Sequence, residues 1–86
     1  MPSGDVAMTV LLFAAARQAV GSDCLSIQVP APVTASTALN AIATTCPELR
    51  PLLPSCRLVV NHQYVDASTP IPADAELALI PPVSGG

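Results

Sequence analysis

Ten prolines are scattered along this chain of 86 residues, and their positions limit how long any helix or strand can run. Proline has a fixed φ and no amide hydrogen, so it ends helices and is kept out of central strands. Because the prolines are spread along the chain, with Pro81-Pro82 the one adjacent pair, they read as punctuation of a compact domain and not as a mark of disorder. The length allows one domain at most. A chain this short buries only ~60% of the surface its unfolded form exposes, so its stability margin is thin. Half of the residues are hydrophobic (51%), with one Phe, one Tyr and no Trp, so the core has to be aliphatic.

Between the prolines the hydrophobic pattern changes period. Val6, Met8, Val10 and Leu12 recur every second residue, with Leu11 and Phe13 on the opposite side. This predicts a first strand buried on both faces for much of its length. Ala14 to Val20 suits a short helix closed by Gly21 at the C′ position. Leu25, Ile27 and Val29 alternate with Ser26 and Gln28 as a half-buried strand ended by Pro30 and Pro32. Thr34 is an N-cap candidate. Leu39, Ile42, Ala43 and Cys46 then follow at helical spacing, an apolar stripe that Pro47 stops. Glu48 to Cys56 reads as irregular or as a single short turn, pinned by Leu49, Leu52 and Leu53.

The rest is strand-like. Leu58-Val59-Val60 is a strand, Asn61-His62-Gln63 a polar turn and Tyr64-Val65 a short return strand. Leu77 to Ile80 is the last strand, ended by Pro81-Pro82. A hairpin, a helix and further strands predict an α+β roll in which a mixed sheet carries one main helix, the order of the β-grasp fold. The domain is expected to span residues 1–80, with residues 81–86 as a C-terminal tail free of the core.

Charge excludes several functions. The net charge is −3, and the only cations are Arg17, Arg50 and Arg57. Nucleic-acid binding needs clustered positive charge, and an anionic membrane surface is disfavoured for the same reason. Without lysine there is no Walker-type phosphate loop. The spacings of Cys24, Cys46 and Cys56 match no zinc or C-x-x-C pattern, and buried reduced thiols are the plain reading. Three unpaired thiols suit a reducing cytoplasm. Val6 to Ala16 is apolar, but the segment before it holds an acid and no base, which is wrong for a secretion signal. No run approaches the ~20 residues needed to span a bilayer.

Conventional catalytic groups are scarce. His62 lies in a turn without a nucleophile beside it, so an exposed turn residue is the plain reading. Asp74 and Glu76 sit where acids commonly solvate a strand start. The ending is more informative: Pro81-Pro82-Val83-Ser84-Gly85-Gly86. Two terminal glycines arise by chance in roughly 0.5% of chains. Glycine lacks a Cβ and passes channels that other residues cannot. Six extended residues reach up to ~20 Å, enough to carry the Gly86 carboxylate into a neighbouring active site. A frayed terminus is the alternative.

With this ending and with Val10-Leu11-Leu12-Phe13-Ala14, Arg17, Val20-Gly21 and Val60-Asn61, the chain resembles the ubiquitin-like sulfur carriers, most closely the small subunits of molybdopterin synthase. Gly-Gly marks the superfamily, and Pro-Pro-Val-Ser-Gly-Gly marks this branch. One departure is Ala73-Asp74-Ala75-Glu76, where the family usually has Asp-Gly-Asp-Glu. Asp74 replaces the glycine and is expected to take a strained positive φ.

The resemblance implies that an ATP-dependent activating enzyme adenylates Gly86 and that a sulfurtransferase converts the adenylate to a thiocarboxylate. The tail, Pro81 to Gly86, then enters the large synthase subunit and delivers sulfur to cyclic pyranopterin monophosphate for the molybdenum cofactor. A two-plus-two heterotetramer is implied, with no cofactor or metal bound by the carrier itself. Phe13, Leu79 and Ile80 are candidate docking residues, with core packing as the alternative for Phe13 and Leu79. Arg17 is a candidate for pairing with a partner acid, with an idle solvated side chain as the alternative. A carrier for thiamine or another sulfur route, and a ubiquitin-like modifier or binding module, are the other readings.

Overall fold

A computed structural model describes residues 5–81. Strand β1 (Asp5–Leu12) leads into helix α1 (Ala14–Val20), strand β2 (Cys24–Pro30) and helix α2 (Ala35–Thr45). Two 3-10 turns, Pro47–Leu49 and Leu53–Ser55, precede β3 (Arg57–Val60), β4 (Gln63–Tyr64) and β5 (Leu77–Ile80). The five strands form one mixed sheet in the order β2-β1-β5-β3-β4, in which β5 runs parallel to β1 and the other neighbours are antiparallel. This is the α+β roll expected from the sequence.

Local chemistry explains the element ends. The Thr34 hydroxyl accepts from the Thr37 amide and the Thr37 hydroxyl accepts from the Thr34 amide, a reciprocal cap that satisfies two otherwise orphaned donors. Gly21 closes α1 at φ 81 and donates to the Arg17 carbonyl at 2.8 Å, an αL ending natural to glycine. Asn61 and His62, at φ 50 and 72, make a two-residue turn between β3 and β4. Positive φ at both central residues matches the right-handed twist of a hairpin.

Packing corrects several expectations. β1 is covered on one face only: Met8, Val10 and Leu12 are buried, whereas Leu11 is partly open and Thr9 exposed. α2 packs on a single side of the sheet, and among the described residues no layer covers the other side. The buried side of α2 is also rotated from the predicted stripe. Ala35, Ala38, Ala41 and Ile42 are buried, and Leu39, Ala43 and Cys46 only partly so. Alanines on the sheet-facing side let the helix approach closely, so the larger residues sit at its flank.

The segment after α2 makes two turns, not one, and Leu49 alone of its leucines is fully buried. Gln63 belongs to β4 and Val65 lies beyond it, a shift of one residue from the predicted strand. Among the described residues Asp74 is not at positive φ; Ala14, Asn61 and His62 are. The turn before β5 instead closes with the Ala75 amide donating to the Pro72 carbonyl at 3.1 Å, so no glycine is required there.

The loop between β4 and β5 straps the start of α2. Ala35 and Ser36 donate to the carbonyls of Thr69 and Ala67, Ile71 donates to Val33, and the Ile71 side chain enters the core. These bonds satisfy backbone groups that a long loop would otherwise leave unpaired.

Candidate functional site: the open sheet face and the exit of the tail

The uncovered face of the sheet follows from strand register. Leu11 pairs with Cys24 on β2 and with Ala78 on β5, Ala78 pairs with Val59 on β3, and Val59 pairs with Tyr64 on β4. Residues directly opposite each other share a face, so one row crosses all five strands. Beside it, Ile80 pairs with Arg57, whose guanidinium lies 5.4 Å from the centre of the Tyr64 ring. That cation is engaged on an aromatic face. Leu11, Phe13, Val59, Ala78 and Ile80 line a groove of about 320 Å³, with His62 and Glu76 at its polar end.

The last strand is the middle strand of the sheet. β5 lies between β1 and β3, parallel to β1 and in register Leu12 to Leu79. The ends of the two parallel strands therefore bring Phe13 next to Ile80, at the point where the chain passes to Pro81. Phe13 is 46% exposed and Ile80 partly exposed, so these two candidates lie on the open face.

Leu79 does not. It is completely buried, because successive residues of a strand point to opposite faces and β5 sends Leu77 and Leu79 into the core. This corrects its placement among the docking candidates. Pro81 is buried as well, so the part of the tail that can be described begins packed against the domain. Pro82, Val83, Ser84, Gly85 and Gly86 lie outside the described residues.

Arg17 Nε lies 3.6 Å from Asp23 Oδ1, and both side chains are mostly exposed. Such a surface pair is weak and easily exchanged for another partner.

A polar clamp fixes the groove's far end. The Asn61 amide donates to the Glu76 carbonyl at 2.9 Å, the Glu76 amide donates to Asn61 Oδ1 at 2.9 Å, and His62 Nε2 lies 3.1 Å from Glu76 Oε1. The clamp is not legible in the sequence. A separation of 15 residues hides a contact that only the pairing of β3 with β5 creates. The surface placement of Leu11, Val59, Ala78 and Tyr64 is likewise hidden in the sequence; its one trace is the second apolar set that Leu11 and Phe13 form at period two.

The cysteines are free. Cys24 is exposed on the open face, whereas burial pushes the Cys46 and Cys56 thiols up, with Glu48 adding to the effect at Cys46. A raised thiol holds less of the reactive thiolate. Among the described residues no group of three His, Cys, Asp or Glu side chains is gathered for a metal, and no helix is long and apolar enough to cross a membrane.

Comparison with known proteins adds to this geometry. The molybdopterin synthase sulfur carrier subunit of Arabidopsis thaliana is 33% identical over 98% of this chain and 88% of its own length. Small archaeal modifier protein 1 of Haloferax volcanii superposes with a TM-score of 0.82 at 26% identity, over 91% of this chain and 99% of its own. A chain from the complex of subunits 1 and 2 of molybdopterin-converting factor from Helicobacter pylori 26695 shares the fold. Its TM-score is 0.64 at 23% identity, over 93% of this chain and 99% of its own. The ubiquitin-like fold and the sequence relationship agree, and with its family model matching residues 10–86 the chain belongs to the ThiS family.

Proposed function

We propose that this protein is the sulfur-carrying small subunit of a molybdopterin synthase, with the Gly86 carboxylate as its working group. The observation that carries the reading is the placement of β5. The central strand ends at Ile80 beside Phe13 on an uncovered apolar face, so the route to the terminus begins at the edge of a surface suited to a partner. The Arabidopsis relative bears the corresponding name, and the Helicobacter relative comes from a two-subunit complex.

A carboxylate is too stable to donate sulfur and first needs activation. An ATP-dependent activating enzyme joins the Gly86 carboxylate to the α-phosphorus of ATP and releases pyrophosphate. A sulfurtransferase delivers sulfur at the sulfide level, which attacks the acyl carbon as AMP leaves, and the product is a thiocarboxylate. This soft anion attacks the pterin precursor, cyclic pyranopterin monophosphate, once the large subunit has docked on the open face and taken in the tail, and water then cleaves the resulting thioester, leaving sulfur on the pterin and returning the Gly86 carboxylate. Two deliveries supply both sulfurs of the dithiolene. The carrier contributes the handle and the docking face, and its partners supply substrate binding and acid-base groups.

Intact-mass measurement after co-expression with the host's activating enzyme tests the first half: one oxygen should be replaced by one sulfur at the terminus. Dithiolene formation with the large subunit and precursor tests the second. Full activity after deletion of Gly86 refutes the reading. The likeness to small archaeal modifier protein 1 supports a second reading, attachment of Gly86 to lysines of other proteins. Stable isopeptide conjugates in the same co-expression would favour it.

A further inference from the structure

We propose that Glu76 is the specificity point of the docking groove, and that it takes a lysine or arginine of the partner in exchange for His62. This rests on the reading of the open face as the docking site of the large synthase subunit.

The groove is lined by aliphatic and aromatic side chains except at one end, where Glu76 Oε1 and His62 Nε2 stand 3.1 Å apart. Glu76 is held from its backbone: it donates to Asn61 Oδ1 and accepts from the Asn61 amide, so its carboxylate stays at the groove mouth whatever its side chain contacts. His62 is tied down less firmly; its side chain is 77% exposed, and Glu76 is its partner there. No arginine of the chain lines the groove. Arg57 lies over Tyr64 and Arg17 lies beside Asp23.

Docking changes the solvent around this carboxylate. When a partner fills the apolar groove, water leaves the groove mouth, and a desolvated carboxylate requires a charged donor. An imidazole at an exposed turn is a weak candidate, whereas a lysine or arginine next to the partner's apolar anchor brings a full charge and a charge-assisted hydrogen bond. A chain with net charge −3 and no lysine favours such a basic partner surface. The occupant is therefore an apolar side chain of the large subunit flanked by a basic one, and Glu76 selects for that combination.

The test uses the full chain and the purified large subunit, with affinity measured by calorimetry at low and high sodium chloride. Glu76→Gln preserves both backbone bonds to Asn61 and should weaken binding about tenfold, the scale of a hydrogen bond to a charged group. It should also flatten the salt dependence. His62→Ala should leave the affinity unchanged or tighten it. An equal loss in His62→Ala would make His62 the cation and overturn the exchange. Glu76→Gln binding within twofold of wild type, with its salt dependence intact, would overturn the role of Glu76. Absence of wild-type binding would instead refute the docking reading beneath the proposal, and the proposal with it.

Discussion

Phe13 and Leu79 are both large apolar residues beside the chain exit, yet they point to opposite sides of the sheet, so replacing each by alanine should produce opposite phenotypes. Leu79 is fully buried. Truncation removes three carbons, worth about 2.4 kcal/mol at ~0.8 kcal/mol per buried methylene. The cavity left behind raises the loss to about 3–4 kcal/mol. A domain of this length is stabilised by on the order of 4–13 kcal/mol, so this is a large share. The melting temperature should fall by roughly 12–30 °C.

Phe13 is 46% exposed. Full burial of a Phe side chain is worth up to about 3 kcal/mol, so the exposed part leaves about 1.4 kcal/mol for docking to gain. Phe13→Ala should therefore weaken binding of the large subunit about tenfold. It should cost the free protein no more than about 1.5 kcal/mol. Urea denaturation with an unchanged m-value reads the stability arm, and calorimetry reads the binding arm. If Phe13→Ala destabilises the free chain as much as Leu79→Ala does, or binds like wild type, the assignment of faces is wrong.

Three further outcomes follow from named contacts. Thr34→Ala removes half of the reciprocal cap on α2 and should cost about 1 kcal/mol in chemical denaturation, with Thr34→Gly costing a few tenths. Gly21 has φ 81 and nothing within 4 Å of a built Cβ, so Gly21→Ala should lose about 1 kcal/mol from backbone strain alone; Ala14, at φ 52, should show the reverse sign as Ala14→Gly. The Cys46 and Cys56 thiols are raised from 9.0, so folding keeps them protonated where the unfolded chain has lost its protons. Stability should then fall as pH rises above about 9 and level off once the folded thiols titrate as well, and Cys46→Ala/Cys56→Ala should flatten that slope in melts across this range.

The parts of the fold set by local chemistry were legible in the sequence. A left-handed ending of α1 favours Gly21 and the orphan amides of the first turn of α2 favour Thr34, so these two helix ends can be placed from residue type alone. What the sequence withheld depends on which surfaces meet. An apolar residue at period two says that it prefers burial, without saying whether this chain or another one covers it. Leu11 and Phe13 at period two imply a second buried face on the first strand. Here a single packed helix layer covers one face only, and the same pattern marks a surface left for a partner. A second apolar set at the end of β1, Leu11 with the following Phe13, and too few helical residues to cover it, is thus a signature of incomplete burial that could be sought in other short chains. Leu79 is the mirror-image case, the buried one of its two readings. Its neighbour Ile80 lies on the open face, and one step along a strand reverses the side, so closeness to the tail in sequence carries no information about orientation.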